Sequence, residues 1–410
     1  MYLLDFTWLI NFLILALLIV ITCGWAGLLL AYSLNMIYSN SYKRERGALK
    51  LNSPSVSVIV PARNEMRYLR RCLTSILSQN YKSFEIIVED DCSNDETANI
   101  ARSIQDKRIK LINLKNRPPG WTGKSWASHV GYLASAGRLL LFTDADSFFY
   151  NKEAISYAVD SLQNEGTDVL TGLPLIELTD FCSKLIMPIY NFFSIFSSPS
   201  ARQLNKTNSK KGYLIGSFFI ANRNVLDKIG GFCSVRASIQ EDTDLGSHIK
   251  EEGFTISQIK ISDFISALWS RDTRTLIEGI RRIVSYNFSN SRKNLALDIF
   301  MIFSLVTLPF VLLPLSIGIS NAILLWTLSL CSLPIIAVAV TGTIKHRLNS
   351  LYSMLVLFGS AFLLTLFIAS IVSLFSFRIT HVRWKERMYE RPQEKSITEY
   401  VAVSRSESWD

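Results

Sequence analysis

Apolar positions along the chain fall into two regimes. In the first, short β-branched or aliphatic runs alternate with amphipathic stretches. Ser55–Val60 (SVSVIV), Phe84–Val88 (FEIIV), Ile109–Leu114 and Arg138–Phe142 read as strands. Between them, Glu65–Ser78 places Leu69, Leu73, Ile76 and Leu77 on one helical face, and Asp95–Ile104 and Lys124–Ala136 read as further helices. Strand alternating with helix predicts a doubly wound, mostly parallel α/β sheet. In the second regime charge vanishes. There are 37 uncharged residues between Asp5 and Lys43, 46 between Asp298 and Lys345, and 30 between Arg347 and Arg378. About 20 apolar residues span a bilayer. The pattern predicts an anchor over residues 1–42, an α/β domain over 43–294, a membrane region of two or three spans over 295–377, and a basic, then polar tail over 378–410.

Composition supports this division. Over 410 residues, 49% are hydrophobic and 19% charged, against roughly a quarter charged in an ordinary soluble domain. A net charge of +9 suggests nucleic acid only until its placement is considered. Lys43, Arg44, Arg46 and Lys50 follow the first apolar run, and Arg271–Lys293 lead into the second. Basic residues flanking spans on the cytoplasmic side account for this, so nucleic acid is not an expected partner and the bilayer is. The six cysteines form no CxxC pair and read as reduced thiols. A multi-pass plasma-membrane protein with a cytoplasmic catalytic domain is expected, its oligomeric state left open. Parity is awkward. The basic loop Lys345–Arg347 and the basic tail from Arg378 both belong inside by charge, yet three crossings after Lys293 put the tail outside. Leu185–Phe196 and Leu276–Phe288 are too short to span, and read as core or interfacial helices.

Ligands of parallel sheets sit beyond the carboxyl ends of the strands. There the sequence places Pro61-Ala62-Arg63-Asn64-Glu65, then Glu89-Asp90-Asp91 as an acidic turn cutting the second strand, then Asp144-Ala145-Asp146. A D-x-D after an apolar strand points both carboxylates to one face, suited to a divalent cation bridging a diphosphate. P-loop and dinucleotide signatures are absent. Asp242 and Asp244 alone are compatible with helix capping, Lys124 with a surface lysine, and Trp121 and Trp126 with packing or acceptor stacking.

The ordered segments VSVIVPARNE, IIVEDDCSND, GKSWASHVGYLASAGRLLLFTDADS, GSFFIANRNVLDKIGGF and QEDTDLGSHIKEEGF resemble family 2 glycosyltransferases of the GT-A fold over about residues 55–255. Pro118–Lys124 (PPGWTGK) is similar to the hopanoid-associated and carotenoid-type members. The resemblance implies a Rossmann-like catalytic domain beside transmembrane helices. It implies nucleotide contacts at Pro61, Ala62, Arg63, Glu65 and Asp91, ribose and phosphate contacts at Lys124 and Asp144, a metal at Asp144 and Asp146, and Asp242 as catalytic base. It further implies a nucleotide-diphosphate sugar donor, UDP favoured, with Mg²⁺ or Mn²⁺, and a lipid or membrane-associated acceptor. Glu89 stands where the family often has an apolar residue, and Cys92 where Gly is common. The QxxRW signature of processive synthases is absent, so a non-processive, inverting enzyme is expected. A polyisoprenyl-phosphate sugar synthase and a non-catalytic scaffold with a nucleotide-binding domain remain as alternatives. In the tail, His381–Tyr389 resembles a W-K-G-R-x-Y segment of related membrane transferases, with Glu386 in place of Gly. It reads either as an interfacial anchor or as a segment near the catalytic domain, with Arg383, Arg387 or both pairing with phosphate groups of donor or lipid.

Overall fold

The computed structural model describes residues 53–197 and 212–303 (291 apart), most of 9–30, residue 204, 322–376, and the strands at 381–384 and 387–390. The chain forms two compact units. One comprises Tyr38–Glu177, Pro199–Trp269 and His381–Asp410; the other comprises Met1–Ile37, Leu178–Ser198 and Ser270–Thr380.

The first unit is α/β. Its seven-stranded sheet runs β3-β2-β1-β4-β8-β6-β9. The strands are β1 (Val56–Ala62), β2 (Phe84–Asp91), β3 (Ile109–Leu114), β4 (Leu139–Phe142), β6 (Val169–Thr171), β8 (Phe219–Asn222) and β9 (Ile256–Gln258). β1 pairs in parallel with β2 and β4, while β8 runs antiparallel between β4 and β6. β5 (Phe148–Phe149), β10 (Ile265–Ser270) and β7 (Leu175–Leu178) form a small second sheet.

The large sheet is buried on both faces, so its central strands read as continuous apolar runs. Val56, Val58 and Val60 of β1 pack with helices α2 (Leu69–Leu77) and α5 (Ala154–Glu165). Ile59 faces the other layer, with α4 (Gly123–Ala134), α7 (Arg223–Ile229) and α8 (Glu241–Glu251). Helix α3 (Thr97–Ser103) links β2 to β3.

Two local expectations change. Glu89-Asp90-Asp91 is not a turn: β2 continues through it, with Glu89 opposite Ile112, Asp90 opposite Asn113 and Asp91 opposite Leu114. The ladders to β1 and β3 outweigh the poor strand propensity of Asp. Helix α2 starts at Leu69 rather than at Glu65: the residues between form a turn, in which the Glu65 carbonyl accepts the Tyr68 N–H at 3.0 Å and the Leu69 N–H at 2.9 Å.

The second unit is helical: α1 (Leu15–Gly27), α6 (Phe181–Ser197), α9 (Thr273–Asn290), α10 (Arg292–Met301), α11 (Ala322–Lys345), α12 (Leu351–Met354) and α13 (Val356–Ser376). Helix α6, with Pro188 inside it, packs against α9, α11 and α13. Gly359 makes one approach possible: a Cβ there would lie 2.4 Å from the Leu185 carbonyl oxygen. Among the described residues, Val356–Leu374 is the one helix long and apolar enough to cross a bilayer, with mean hydropathy 2.3. The turn expected near Gly318–Asn321 lies outside the described residues.

Candidate active site

The rim of the large sheet follows from strand direction. β1, β2 and β4 are parallel, so their carboxyl ends share one edge. β8 is antiparallel with Phe219 opposite Phe142, so the loop entering it reaches the same edge. Thr143 fastens the corner: its N–H bonds the Ile59 carbonyl at 3.1 Å and its hydroxyl donates to the Ser217 carbonyl at 3.0 Å.

Four charged side chains from three elements meet there. Lys124 projects from the first turn of α4, which Thr122 caps by accepting the Ser125 N–H. Its Nζ lies 2.7 Å from Asp144 Oδ1 and 3.2 Å from Glu241 Oε1. Burial alone would lower the Lys124 ammonium, but the carboxylates of Asp144, Glu241 and Asp242 outweigh it and hold the group well above the ordinary lysine range. Asp242 lies in the first turn of α8, one residue past Glu241 and inside the helix rather than at its cap. Its Oδ2 accepts the Gly216 N–H at 2.9 Å. Asp244 instead accepts the Ser238 hydroxyl at 2.5 Å, a local bond at the start of the same helix.

Close backbone approach makes this geometry possible. A Cβ on Gly246 would fall 2.5 Å from Tyr213 backbone, so α8 presses against the segment entering β8. A Cβ on Gly216 would sit 2.9 Å from both Asp242 Oδ2 and Lys124 Nζ. Pro61, Lys124, Thr143, Gly216, Glu241 and Asp242 line one cleft, floored by Phe142, Phe219 and Phe232.

Asp144 and Asp146 are half-buried in the turn after β4. The Cys72 Sγ of α2 lies 3.6 Å from the Asp144 carbonyl oxygen, and burial first, then the carboxylates of Asp146, Glu65 and Asp144, push its thiol upward. No group of three or more metal-ligating side chains is assembled among the described residues. The oxygen donors of Asp144 and Asp146 nonetheless suit a hard divalent cation that completes its shell with water and diphosphate oxygens. Asp144, Glu241 and Asp242 surround the Lys124 ammonium, a cation already in place where a diphosphate would need one.

The remaining expected residues form a second cluster at the β1 and β2 ends. Ala62 and Glu65 are buried. The Arg63 guanidinium donates to the Asp91 carbonyl at 2.6 Å and the Cys92 carbonyl at 3.0 Å, bracing the end of β2. Asp91 is 4% exposed and its carboxylate is clasped by Arg387. Cys92 adopts φ 52°, a left-handed conformation that accounts for the family's usual Gly there. Glu89 is fully buried in the sheet, against Gly131 and Ile59, which explains the apolar residue common at that position. Trp121 is buried and packs on Trp126 and His129, with ring centroids 5.2 and 5.0 Å away, so it belongs to the core.

Sequence reasoning passed over Glu241 and Gly216 as site residues, and their only trace was their place in QEDTD and GSFF. Arg387 was expected, in one reading of the tail, to pair with phosphate groups; its partner here is Asp91.

Residues 57–230 match the sequence profile of Glycosyl transferase family 2. The chain is 26% identical over 273 residues to 4,4'-diaponeurosporenoate glycosyltransferase of Staphylococcus haemolyticus (strain JCSC1435), covering 66% of this chain and 71% of that protein. It is 24% identical over 245 residues to the protein of the same name from Staphylococcus aureus (strain bovine RF122 / ET3-1), covering 60% and 64%. In fold it is similar to mannosyltransferase PcManGT from Pyrobaculum calidifontis, solved with GDP-Man and Mn²⁺. That match has a TM-score of 0.53 at 18% identity and covers 89% of this chain and 99% of the other. A mostly parallel sheet with acidic loops along one rim, a family profile over its core and relatives that are glycosyltransferases lead to one assignment: the chain is a glycosyltransferase whose residues 57–230 match family 2 and whose catalytic domain has the GT-A fold.

Proposed function

We propose that this glycosyltransferase moves a sugar from a nucleotide-diphosphate donor, UDP favoured, to a lipid or membrane-associated acceptor, non-processively and with inversion at the anomeric carbon. The observation that carries the reading is the cluster at the rim, where Lys124 lies between Asp144 and Glu241 with Asp242 alongside. In this reading Asp242 takes the proton of an acceptor hydroxyl as its oxygen attacks C1. The Gly216 N–H holds the second Asp242 oxygen and so orients the first. Lys124 exchanges its carboxylate partners for the departing diphosphate, neutralising charge that grows as the C1–O bond breaks. Asp144 and Asp146 would hold Mg²⁺ or Mn²⁺, which supplies further neutralisation of the leaving group when bound. In this reading Asp91 and Arg63 take the nucleoside end of the donor.

A membrane acceptor is supported by the helical unit. Its apolar helix Val356–Leu374 has 19 residues, about 28 Å at 1.5 Å per residue, close to the thickness of a bilayer core. Phe12, Val20, Phe300, Phe358, Ile368 and Val372 are exposed apolar side chains of that unit, an arrangement suited to lipid. The relatives' name, which specifies a carotenoid acid, points the same way. We place the enzyme in the plasma membrane as a multi-pass protein with the catalytic unit cytoplasmic. Mass spectrometry of lipids from cells with and without the gene tests the reading. It predicts a lipid carrying a hexose increment only when the gene is present; identical lipid profiles would contradict it.

A further inference from the structure

The C-terminal hairpin supplies a feature that the proposed chemistry leaves unused. β11 (His381–Trp384) and β12 (Arg387–Glu390) pair antiparallel, with Trp384 opposite Arg387, and belong to the α/β unit although more than a hundred residues of the helical unit precede them. Arg387 Nη1 bonds Asp91 Oδ2, and its Nη2 donates to the Asp91 carbonyl at 3.4 Å. The pair is well shielded, the two side chains 18% and 5% exposed. Arg63 holds the same carbonyl from the β1 side. Main chain and side chain of Asp91 are therefore both fixed, by two guanidiniums from opposite ends of the sequence. The other carboxylate oxygen, Asp91 Oδ1, is buried with no hydrogen-bond partner among the described residues. A buried, unpartnered acceptor is costly, and a ligand N–H would satisfy it.

Resting on the donor reading above, we propose that Arg387 is a positioning residue of the donor site. It anchors one oxygen of Asp91 and neutralises its charge, so that the other oxygen faces a ring N–H of the nucleobase. The tail is thus a working part of the catalytic unit. It also lies on the same side of the membrane, so the chain crosses an even number of times between Trp269 and His381. One of the three apolar segments after Lys293 does not cross.

The test uses full-length protein in detergent, titrated with UDP and with GDP by calorimetry. Arg387→Ala is expected to weaken binding of the preferred nucleotide about tenfold or more, and Arg387→Lys, which keeps the charge but not the fork, by less. Arg71→Ala, which breaks an exposed pair with Glu177 in the same unit, is expected to bind as wild type does. Unchanged or tighter binding by Arg387→Ala overturns the proposal. Failure of wild type to bind either nucleotide overturns the donor reading, and this proposal with it. If Arg387→Ala does not fold, Arg387→Lys binding as wild type is the overturning result. Apposition is checked separately with cysteines at 91 and 387 in a cysteine-free background. A short bifunctional thiol reagent is expected to join them in isolated membranes, and no intramolecular product would overturn the tail's placement.

Discussion

Glu89 shows how one side chain can carry a measurable burden. Burial pushes its carboxyl well above the ordinary carboxylate range, so the folded protein binds a proton that the unfolded chain releases near pH 4.3. Its effect on stability is therefore most favourable in acid and weakens as pH rises through that value toward the raised pKa of the folded state. Glu89→Gln, which removes the ionisation at nearly constant shape, is expected to raise the melting temperature at pH 8 and to lose that advantage toward pH 4. A difference independent of pH would contradict the burial account. Gly216 is the reverse case, a residue with no side chain that sets the geometry of two others. A methyl there meets both Asp242 Oδ2 and Lys124 Nζ at 2.9 Å. Gly216→Ala is expected to cut turnover ~10²-fold, the scale associated with ångström-level misplacement, while the melting temperature stays within a few degrees. Near-normal turnover would remove Gly216 from the orienting role.

Elements explain which parts of the site were legible in the sequence. The loops after β1 and β4 could be read because an apolar run followed by polar residues marks a strand's carboxyl end, and parallel pairing puts those ends together. The Lys124–Glu241 contact could not, because it depends on β8 entering antiparallel and on α8 pressing against residues 212–216. Nor could the true length of β2, since Glu-Asp-Asp resembles a turn until ladders on both sides are known. The placement of the segment at 381–390 stayed open between two readings for another reason: basic and aromatic residues after a span look alike whether they anchor in lipid or dock on a domain. In the helical unit, the approach of α13 to α6 rests on the missing side chain of Gly359. Gly359→Ala is expected to cost about 1–3 kcal/mol, the usual penalty of overpacking, read as a lower melting temperature in detergent. An unchanged melting temperature would show that the helices separate at little cost.

At the scale of the whole molecule, an acidic rim on a GT-A domain is joined in sequence to an apolar helical unit, an arrangement suited to bringing a soluble donor to a lipid acceptor. The paired oxygen donors of Asp144 and Asp146, half-buried in the turn after β4, predict dependence on a divalent cation. EDTA is expected to abolish transfer, Mg²⁺ or Mn²⁺ to restore it, and Asp146→Asn to resist restoration; full activity in chelator would remove the metal from the account. The central claim is that Asp242 removes a proton from the acceptor while Lys124 and its neighbours hold the diphosphate. Its most direct test is transfer from a labelled nucleotide-diphosphate sugar to membrane lipid by purified wild type and Asp242→Asn, with nucleotide binding measured on the same preparations. The account predicts a loss of ~10²–10⁴-fold in turnover, the range for removing a general base, with donor affinity changed by no more than a few-fold. An Asp242→Asn enzyme that binds donor poorly yet turns over at the wild-type rate when saturated would contradict it.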